Sequence, residues 1–312
     1  MKILITGGCG YVGNELVKNL LKLKHKIIVV DTQWFGNNLQ KHKNLKVFKS
    51  DIRNIKENLF KGQDALIHLA NIANDPAVDL NPSISWDVNV IATEKLIQLS
   101  IKHKLKKFIF ASSGSVYGIK KEKKVTENLE LVPISTYNKT KMVAEKLLMS
   151  YQDRIKVFCI RPATVCGLSD RMRFDVTVNL LTLQALEGNE ITVFGGKQIR
   201  PNIHIQDMIA VYRHFLDKNL KSGFYNAGFQ NLSVVNIAKI IAKKLKSKIK
   251  IQKLNDPRSY RIDSSKLIKS GFVKTHTIEM AIDEITEAYR NKKLKSHPSC
   301  YTVQWMKKLK IK

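Results

Sequence analysis

Short runs of β-branched and aromatic residues alternate with amphipathic stretches from the first residue onward, the rhythm of a parallel sheet wrapped by helices. Residues 2–6, 26–31, 45–50, 65–69, 107–112 and 156–161 predict strands. Between them, 12–24, 82–103 and 136–151 repeat apolar residues every three or four positions, so each predicts a helix with one face on the sheet. The first half is therefore expected to be an α/β, doubly wound unit. After Arg161-Pro162 the rhythm loosens: a short segment at 164–167, a helical stretch near 176–187, a strand at 190–194, and turns at Gly195-Gly196 and Arg200-Pro201. Such a segment cannot continue the sheet in simple order, so a second, smaller lobe is expected. The expected division is a main unit over 1–165 with a return segment at about 202–228, in which 204–216 rejoins the main unit. The lobe takes 166–201 and 229–312, with helices at 233–248 and 277–291. The tail from Lys292 is basic and poorly periodic, and its pattern does not settle whether it docks or frays.

At 312 residues the chain is long enough for a sizeable core, and 44% hydrophobic with 26% charged residues excludes a collagen-like, disordered or disulfide-stapled protein. No stretch approaches 18 uninterrupted apolar residues, so no membrane span is expected, and the early apolar run is too short for a signal peptide. A cytoplasmic location is expected. Cys9, Cys159, Cys166 and Cys300 lie far apart without a Cys-x-x-Cys pair, which suggests neither a metal site nor a disulfide framework. The formal charge of +28 raises the question of nucleic acid. Lys supplies 44 of the 54 basic residues, scattered along the whole chain, which reads as a solvated surface and argues against a nucleic-acid partner. Arg161, Arg171, Arg173, Arg200, Arg258 and Arg261 lie in the second half, where a planar fork suits phosphate.

Thr6-Gly7-Gly8-Cys9-Gly10-Tyr11-Val12-Gly13 follows the first strand and opens the first helix. Its glycines permit a tight turn, a close approach of backbone N–H groups to a pyrophosphate, and tight packing of helix on strand. Asp31 ends the second strand, where a carboxylate accepts both adenosine ribose hydroxyls and repels a 2′-phosphate. The expected cofactor is NAD rather than NADP. Tyr137 and Lys141 are four apart on a predicted helix and so share a face. A fixed ammonium beside a phenol is expected to lower its pKa from near 10, making Tyr137 a base for a substrate hydroxyl. Ser112-Ser113-Gly114-Ser115-Val116-Tyr117-Gly118 follows the fifth strand, at the sheet edge where open parallel sheets bind ligands. A hydroxyl there can bond the oxygen that the tyrosine deprotonates. His68 reads as a packed strand histidine and Cys9 as a small space-filler.

Thr6–Gly13, Asp31, Asp51-Ile52-Arg53, His68-Leu69-Ala70, Asn89-Val90, Ser112–Gly118, Tyr137–Lys141 and Arg161-Pro162 together resemble the extended short-chain dehydrogenase/reductases, specifically their NAD-dependent nucleotide-sugar epimerase/dehydratase group. The resemblance runs nearly end to end and implies a Rossmann fold with a smaller C-terminal substrate lobe. It implies a catalytic set of Ser113, Tyr137 and Lys141. It implies a dinucleotide site of Gly7, Gly10, Tyr11, Val12, Gly13, Asp31, Asp51, Ile52, Leu69, Ala70, Asn89, Ser112, Tyr137, Lys141 and Pro162. For the nucleotide sugar it implies Ser113, Ser115, Asn179, Arg200 and Arg258, the two arginines clamping the diphosphate. A homodimer through the helices near 82–103 and 136–151 is also implied, and no metal.

Two departures narrow the reaction. Dehydratases of the group carry an Asp-Glu pair after the catalytic Ser/Thr, and this chain has Gly114-Ser115, which lacks proton-transfer capacity near neutrality. Thr164 stands where many 4-epimerases have Asn, which counts against UDP-galactose specificity, while Asp170–Asp175 resembles a branch serving surface-polysaccharide sugars. The expected activity is oxidation at sugar C4 to a 4-keto intermediate followed by re-reduction. A C4 dehydrogenase, a 4-keto-sugar reductase, or a non-catalytic NAD- or RNA-binding module are the other readings.

Overall fold

A computed structural model describes residues 1–253 and 259–311. Seven strands form the main sheet: β1 (Lys2–Thr6), β2 (Lys26–Asp31), β3 (Leu45–Lys49), β4 (Ala65–His68), β5 (Lys107–Ala111), β6 (Lys156–Pro162) and, much later in the chain, Gly223–Ala227. That last strand pairs with β6 with Asn226 opposite Arg161, and the spatial order runs β3, β2, β1, β4, β5, β6, then Gly223–Ala227, all parallel. This is the doubly wound parallel sheet expected from the sequence. The order reverses between β1 and β4, which opens a crevice at the carboxyl ends of those strands.

Alternation along each strand builds two cores, one per face. Ile3, Ile5, Val29, Ile67, Ile109 and Phe158 point to one face. There they meet Leu16, Val17 and Leu20 of the helix Tyr11–Lys22 and Met208, Val211 and Phe215 of the helix Ile205–Asp217. Leu4, Val30, Leu66, Phe108, Phe110 and Val157 point to the other, against Leu96 and Ile97 of Ala92–Lys102 and Ala144 and Leu148 of Thr136–Met149. Strands buried on both faces need near-continuous apolar runs, which is why the sequence shows them so plainly.

Two segments differ from the sequence reading, and a third settles what it left open. The helix expected over 82–103 is interrupted: Pro82–Trp86 passes through a widened π turn, Asp87–Ile91, into Ala92–Lys102. The turn carries Asn89, whose side chain clamps the loop after β4 by accepting from Ile72 N (2.9 Å) and donating to Ile72 O (3.2 Å). The turn expected at Arg200-Pro201 lies instead within the strand Ile199–His204, between Thr164–Cys166 and Gln230–Ser233 in a second sheet. Pairing with Thr164–Cys166 begins only at Asn202, so Pro201 spares the ladder on that side. The basic tail docks. Thr302–Lys308 is a helix, Met306 is buried with the core of the second face, and Trp305 Nε1 donates to Trp34 O at 2.6 Å.

Candidate active site

The glycine loop turns directly from β1 into Tyr11–Lys22, with Gly10 at the helix N-cap. Gly7 has φ +77°, and a Cβ there would stand 2.5 Å from Ala70 N; a Cβ on Gly13 would stand 2.3 Å from Gly7 O. The loop therefore packs backbone against backbone, leaving the helix start open to the crevice. Asp31 lies across this opening, its Oδ2 accepting from Cys9 N at 2.9 Å and its Oδ1 from Gln33 N at 2.7 Å. Burial pushes its carboxyl up, against the two backbone N–H groups. Burial also pushes the Cys9 thiol up to about 12, which leaves it a packing residue.

Thirteen of the fifteen residues expected to hold a dinucleotide line one cleft of about 280 Å³ that runs from Asp51 and Ile52 past the glycine loop to Ser112, Tyr137 and Pro162. Asn89 and Lys141 stand behind its wall. Asn89 braces the Ile72 loop, as described, and Lys141 Nζ donates to Ala111 O at 2.7 Å. Asp51 is held by Arg53, Nη2 to Oδ2 at 2.8 Å.

At the inner end, Ser113 caps the turn Gly114–Tyr117, and its Oγ lies 2.7 Å from Ser115 Oγ, which donates to Asn138 Oδ1 at 2.6 Å. The Tyr137 phenol faces the same end of the cleft, near enough to Ser113 for that hydroxyl to act on it. Burial pushes the phenol up to about 12, Ser113 opposes this, Asp75 raises it further and Arg173 lowers it. The lowering expected from Lys141 is not among these effects. Lys141 is itself driven down to about 7 by burial, against the attraction of Glu145, and its Nζ lies 6.0 Å from the Tyr137 ring centroid. The spacing did bring the two side chains together, but in a dry environment that disfavours charge on both.

Behind this lies a buried ion pair. Arg161 Nη2 and Glu145 Oε2 are 2.8 Å apart, at 2% and 0% side-chain exposure. Arg161 Nη1 donates to Tyr117 Oη (2.8 Å), which donates to Asn226 Oδ1 (2.7 Å). His68 is buried between Thr6 Oγ1 (2.7 Å) and Thr93 Oγ1 (2.8 Å), and burial holds it neutral with a pKa pushed down to about 3.

The residues expected to meet the substrate are more dispersed. Asn179 is fully buried, its Oδ1 accepting from Gly167 N (3.0 Å) and its Nδ2 donating to Tyr11 Oη (3.1 Å) and Arg173 O (2.9 Å). Arg200 stands opposite Leu232 in the second sheet, with Nη1 donating to Ile199 O at 3.4 Å. Arg258 lies outside the described residues. The cleft also has walls that the motifs did not identify: Trp34 and Phe35, Arg171 and Arg173, Met208 and Tyr212, Thr302 and Met306. The arginine cluster was a visible signal for two of these. Thr302 and Met306 have no local signal at all.

A doubly wound sheet with a glycine-cradled cleft at its reversal point, flanked by a Ser-Tyr-Lys group, defines a dinucleotide-dependent enzyme class. Residues 3–228 match the NAD dependent epimerase/dehydratase family, and the chain belongs to it. An uncharacterized UDP-glucose epimerase of Bacillus subtilis (strain 168) is 36% identical over 226 residues, spanning 67% of this chain and 70% of that one. UDP-glucose 4-epimerase of Lactobacillus helveticus is 28% identical over 333 positions, 96% of this chain and 99% of that one. Among solved structures, UDP-glucuronic acid 4-epimerase from Bacillus cereus, in complex with UDP-glucuronic acid and NAD, superposes with a TM-score of 0.83 at 26% identity, over 94% of this chain and 100% of that chain. The cofactor of the family is NAD. The residues of the cleft fit it: the cradle is one that a Cβ at Gly7 or Gly13 would fill, and Ser112 Oγ is buried on the cleft wall without a hydrogen-bond partner among the described residues. Among those residues no helix is long and apolar enough to cross a membrane.

Proposed function

We propose that the protein is an NAD-dependent nucleotide-sugar epimerase that oxidises C4 of the sugar, retains the 4-keto intermediate and re-reduces it from the opposite face, in the biosynthesis of surface-polysaccharide sugars. The observation that carries this reading is the approach of two hydroxyls, Ser113 and Tyr137, at the inner end of the cleft, followed by a Gly114-Ser115 step without an acid. NAD, held by the glycine loop and Asp31, would supply a reversible hydride acceptor for the sugar carbon. The Tyr137 oxygen takes the proton of the C4 hydroxyl and later gives it back, while Ser113 orients that hydroxyl. Burial raises the phenol pKa and Arg173 offsets it only in part, and Lys141 holds the end of β5 through Ala111 O. Asn179, Arg200 and Arg258 belong, on this reading, to the nucleotide-binding lobe of 166–201 and 229–312, and the enzyme acts as a homodimer.

Epimerisation is favoured over dehydration on steric grounds as well. A Cβ at position 114 would stand 2.4 Å from Ile262 Cδ1, which would have to swing aside, and 3.0 Å from Pro162 O, a tight backbone contact, so the acid that begins the dehydratase pair would fit only with rearrangement. The test is incubation with NAD and a panel of UDP-, GDP-, dTDP- and CDP-sugars, following reduced-nicotinamide absorbance and product stereochemistry. An inverted C4 centre with no net build-up of reduced cofactor is expected. Stoichiometric reduced cofactor with a free ketone would make the protein a dehydrogenase, and loss of water would make it a dehydratase.

A further inference from the structure

The loop between Thr164–Cys166 and the helix Thr177–Leu186 crosses the outer side of the dinucleotide cleft and is tied down at both ends. At one end Tyr11 Oη donates to Gly167 O (2.7 Å), Ser169 Oγ donates to Tyr11 O (2.9 Å), and Asp170 pairs with Lys18. At the other, Phe174 N donates to Cys300 O (2.9 Å) and Thr302 N to Asp175 Oδ2 (3.1 Å), so the C-terminal segment props the loop. Two guanidiniums ride on it. Arg173 is neutralised by Asp175, Nε to Oδ1 at 2.8 Å. Arg171 is only 6% exposed, lines the cleft, and has Cζ 4.1 Å from the Phe35 ring centroid. Among the described residues it makes no hydrogen bond or ion pair; the Asp31 carboxylate on the same cleft attracts it from a distance but bonds Cys9 N and Gln33 N. A guanidinium taken out of water, stacked on an aromatic ring and left with its N–H fork unused, calls for an anion.

We propose that Arg171 is the side chain that takes the diphosphate of the dinucleotide, from the wall opposite the glycine loop. The inner wall then offers backbone N–H groups at a helix start, and the outer wall a bidentate cation held flat by Phe35. Burial and the like charge of Arg173 lower the Arg171 pKa to about 10, so it stays charged at neutral pH. The inference rests on the NAD dependence of the family and is independent of which sugar reacts.

The experiment titrates full-length wild type, Arg171→Gln and Arg171→Lys with NAD, ADP-ribose, adenosine, UDP and NADP, reading tryptophan quenching at Trp34, which lines the cleft. Arg171→Gln is expected to weaken NAD and ADP-ribose together by about tenfold to a hundredfold. Adenosine, UDP and the NAD-to-NADP affinity ratio are expected to stay within about twofold, and Arg171→Lys to recover part of the loss. Equal weakening of adenosine would make Arg171 a packing residue. A loss confined to UDP would assign it to the sugar nucleotide, and one confined to NADP to a 2′-phosphate; each overturns the proposal. Should Gln at this site unfold the protein, the Lys variant still decides, through the same ratio of ADP-ribose to adenosine. Wild type that failed to bind NAD would sink the cofactor assignment instead, a distinct outcome.

Discussion

The Lys141 ammonium lies 6.0 Å from the centroid of the Tyr137 ring while its Nζ donates a hydrogen bond to the Ala111 carbonyl, 2.7 Å away. The pair is therefore a phenol pushed up to about 12 beside an amine pushed down to about 7. Replacing Tyr137 by Phe keeps the ring in the wall and removes the phenol oxygen proposed to share the substrate hydroxyl with Ser113. Turnover is expected to fall by about 10²–10⁴-fold, with a much smaller change in NAD affinity. Steady-state kinetics and a NAD titration on the same preparation check this; a kcat within threefold of wild type refutes the assignment.

Lys141 should leave its mark on stability. Its pKa in the folded chain is lowered to about 7 from an ordinary 10.5, so between those values the unfolded chain binds the extra proton. Stability attributable to this group therefore rises as pH climbs from about 7 toward 10, and below 7 the full penalty of burying the ammonium is present. Thermal melts of the cofactor-free protein across this range should rise more steeply in wild type than in Lys141→Met. Parallel curves would show that Lys141 is not the group responsible.

His68 acts in the acid range. Burial lowers its pKa to about 3, so the unfolded chain gains a proton below about 6.5 that the folded chain refuses, and stability falls from there toward pH 3. Substitution His68→Asn should flatten that part of the acid denaturation profile followed by circular dichroism, although losing a fitted ring lowers stability at pH 7.

Gly13→Ala puts a methyl 2.3 Å from Gly7 O, a backbone atom with no side chain to move aside. The helix must retreat from the turn that it caps. NAD affinity is expected to drop at least tenfold, because the backbone N–H groups lose their common focus. Isothermal titration measures this directly, and unchanged affinity would mean that the loop does not cradle the cofactor.

The Arg161–Glu145 pair is buried on every side, with the guanidinium 4.9 Å from the Tyr117 ring centroid and 4.4 Å from that of Phe224. Glu145→Ala leaves that charge without its carboxylate and is expected to cost about 3–5 kcal/mol in urea unfolding. Glu145→Gln, which still offers an oxygen to Arg161, should cost less than half as much. Because Glu145 raises the Lys141 pKa, the same Gln variant should also move the Lys141-dependent rise in stability to lower pH.

Local chemistry made most of the cofactor site legible in the chain itself. Strands buried on both faces must be apolar without a break, a backbone cradle suited to pyrophosphate must have glycine where a Cβ would strike Gly7 O or Ala70 N, and the carboxylate proposed for the ribose ends the second strand at Asp31. Each requirement is met within a few residues, so each leaves a readable pattern. The spacing of Tyr137 and Lys141 likewise placed both on one helix face.

The remainder depends on residues far apart in sequence. The Gly223–Ala227 strand joins β6 across sixty intervening residues, and Thr302 and Met306 reach the cleft from the other end of the chain. The pKa values of Tyr137 and Lys141 follow from how much water their surroundings exclude, which no spacing encodes. Whether Arg171 keeps its charge for a ligand depends on Asp175 choosing Arg173 and on Phe35 lying beneath the fork. Sequence specifies the identity of a group and its neighbours along the chain; only packing decides which distant groups surround it, and with them its charge and its partner.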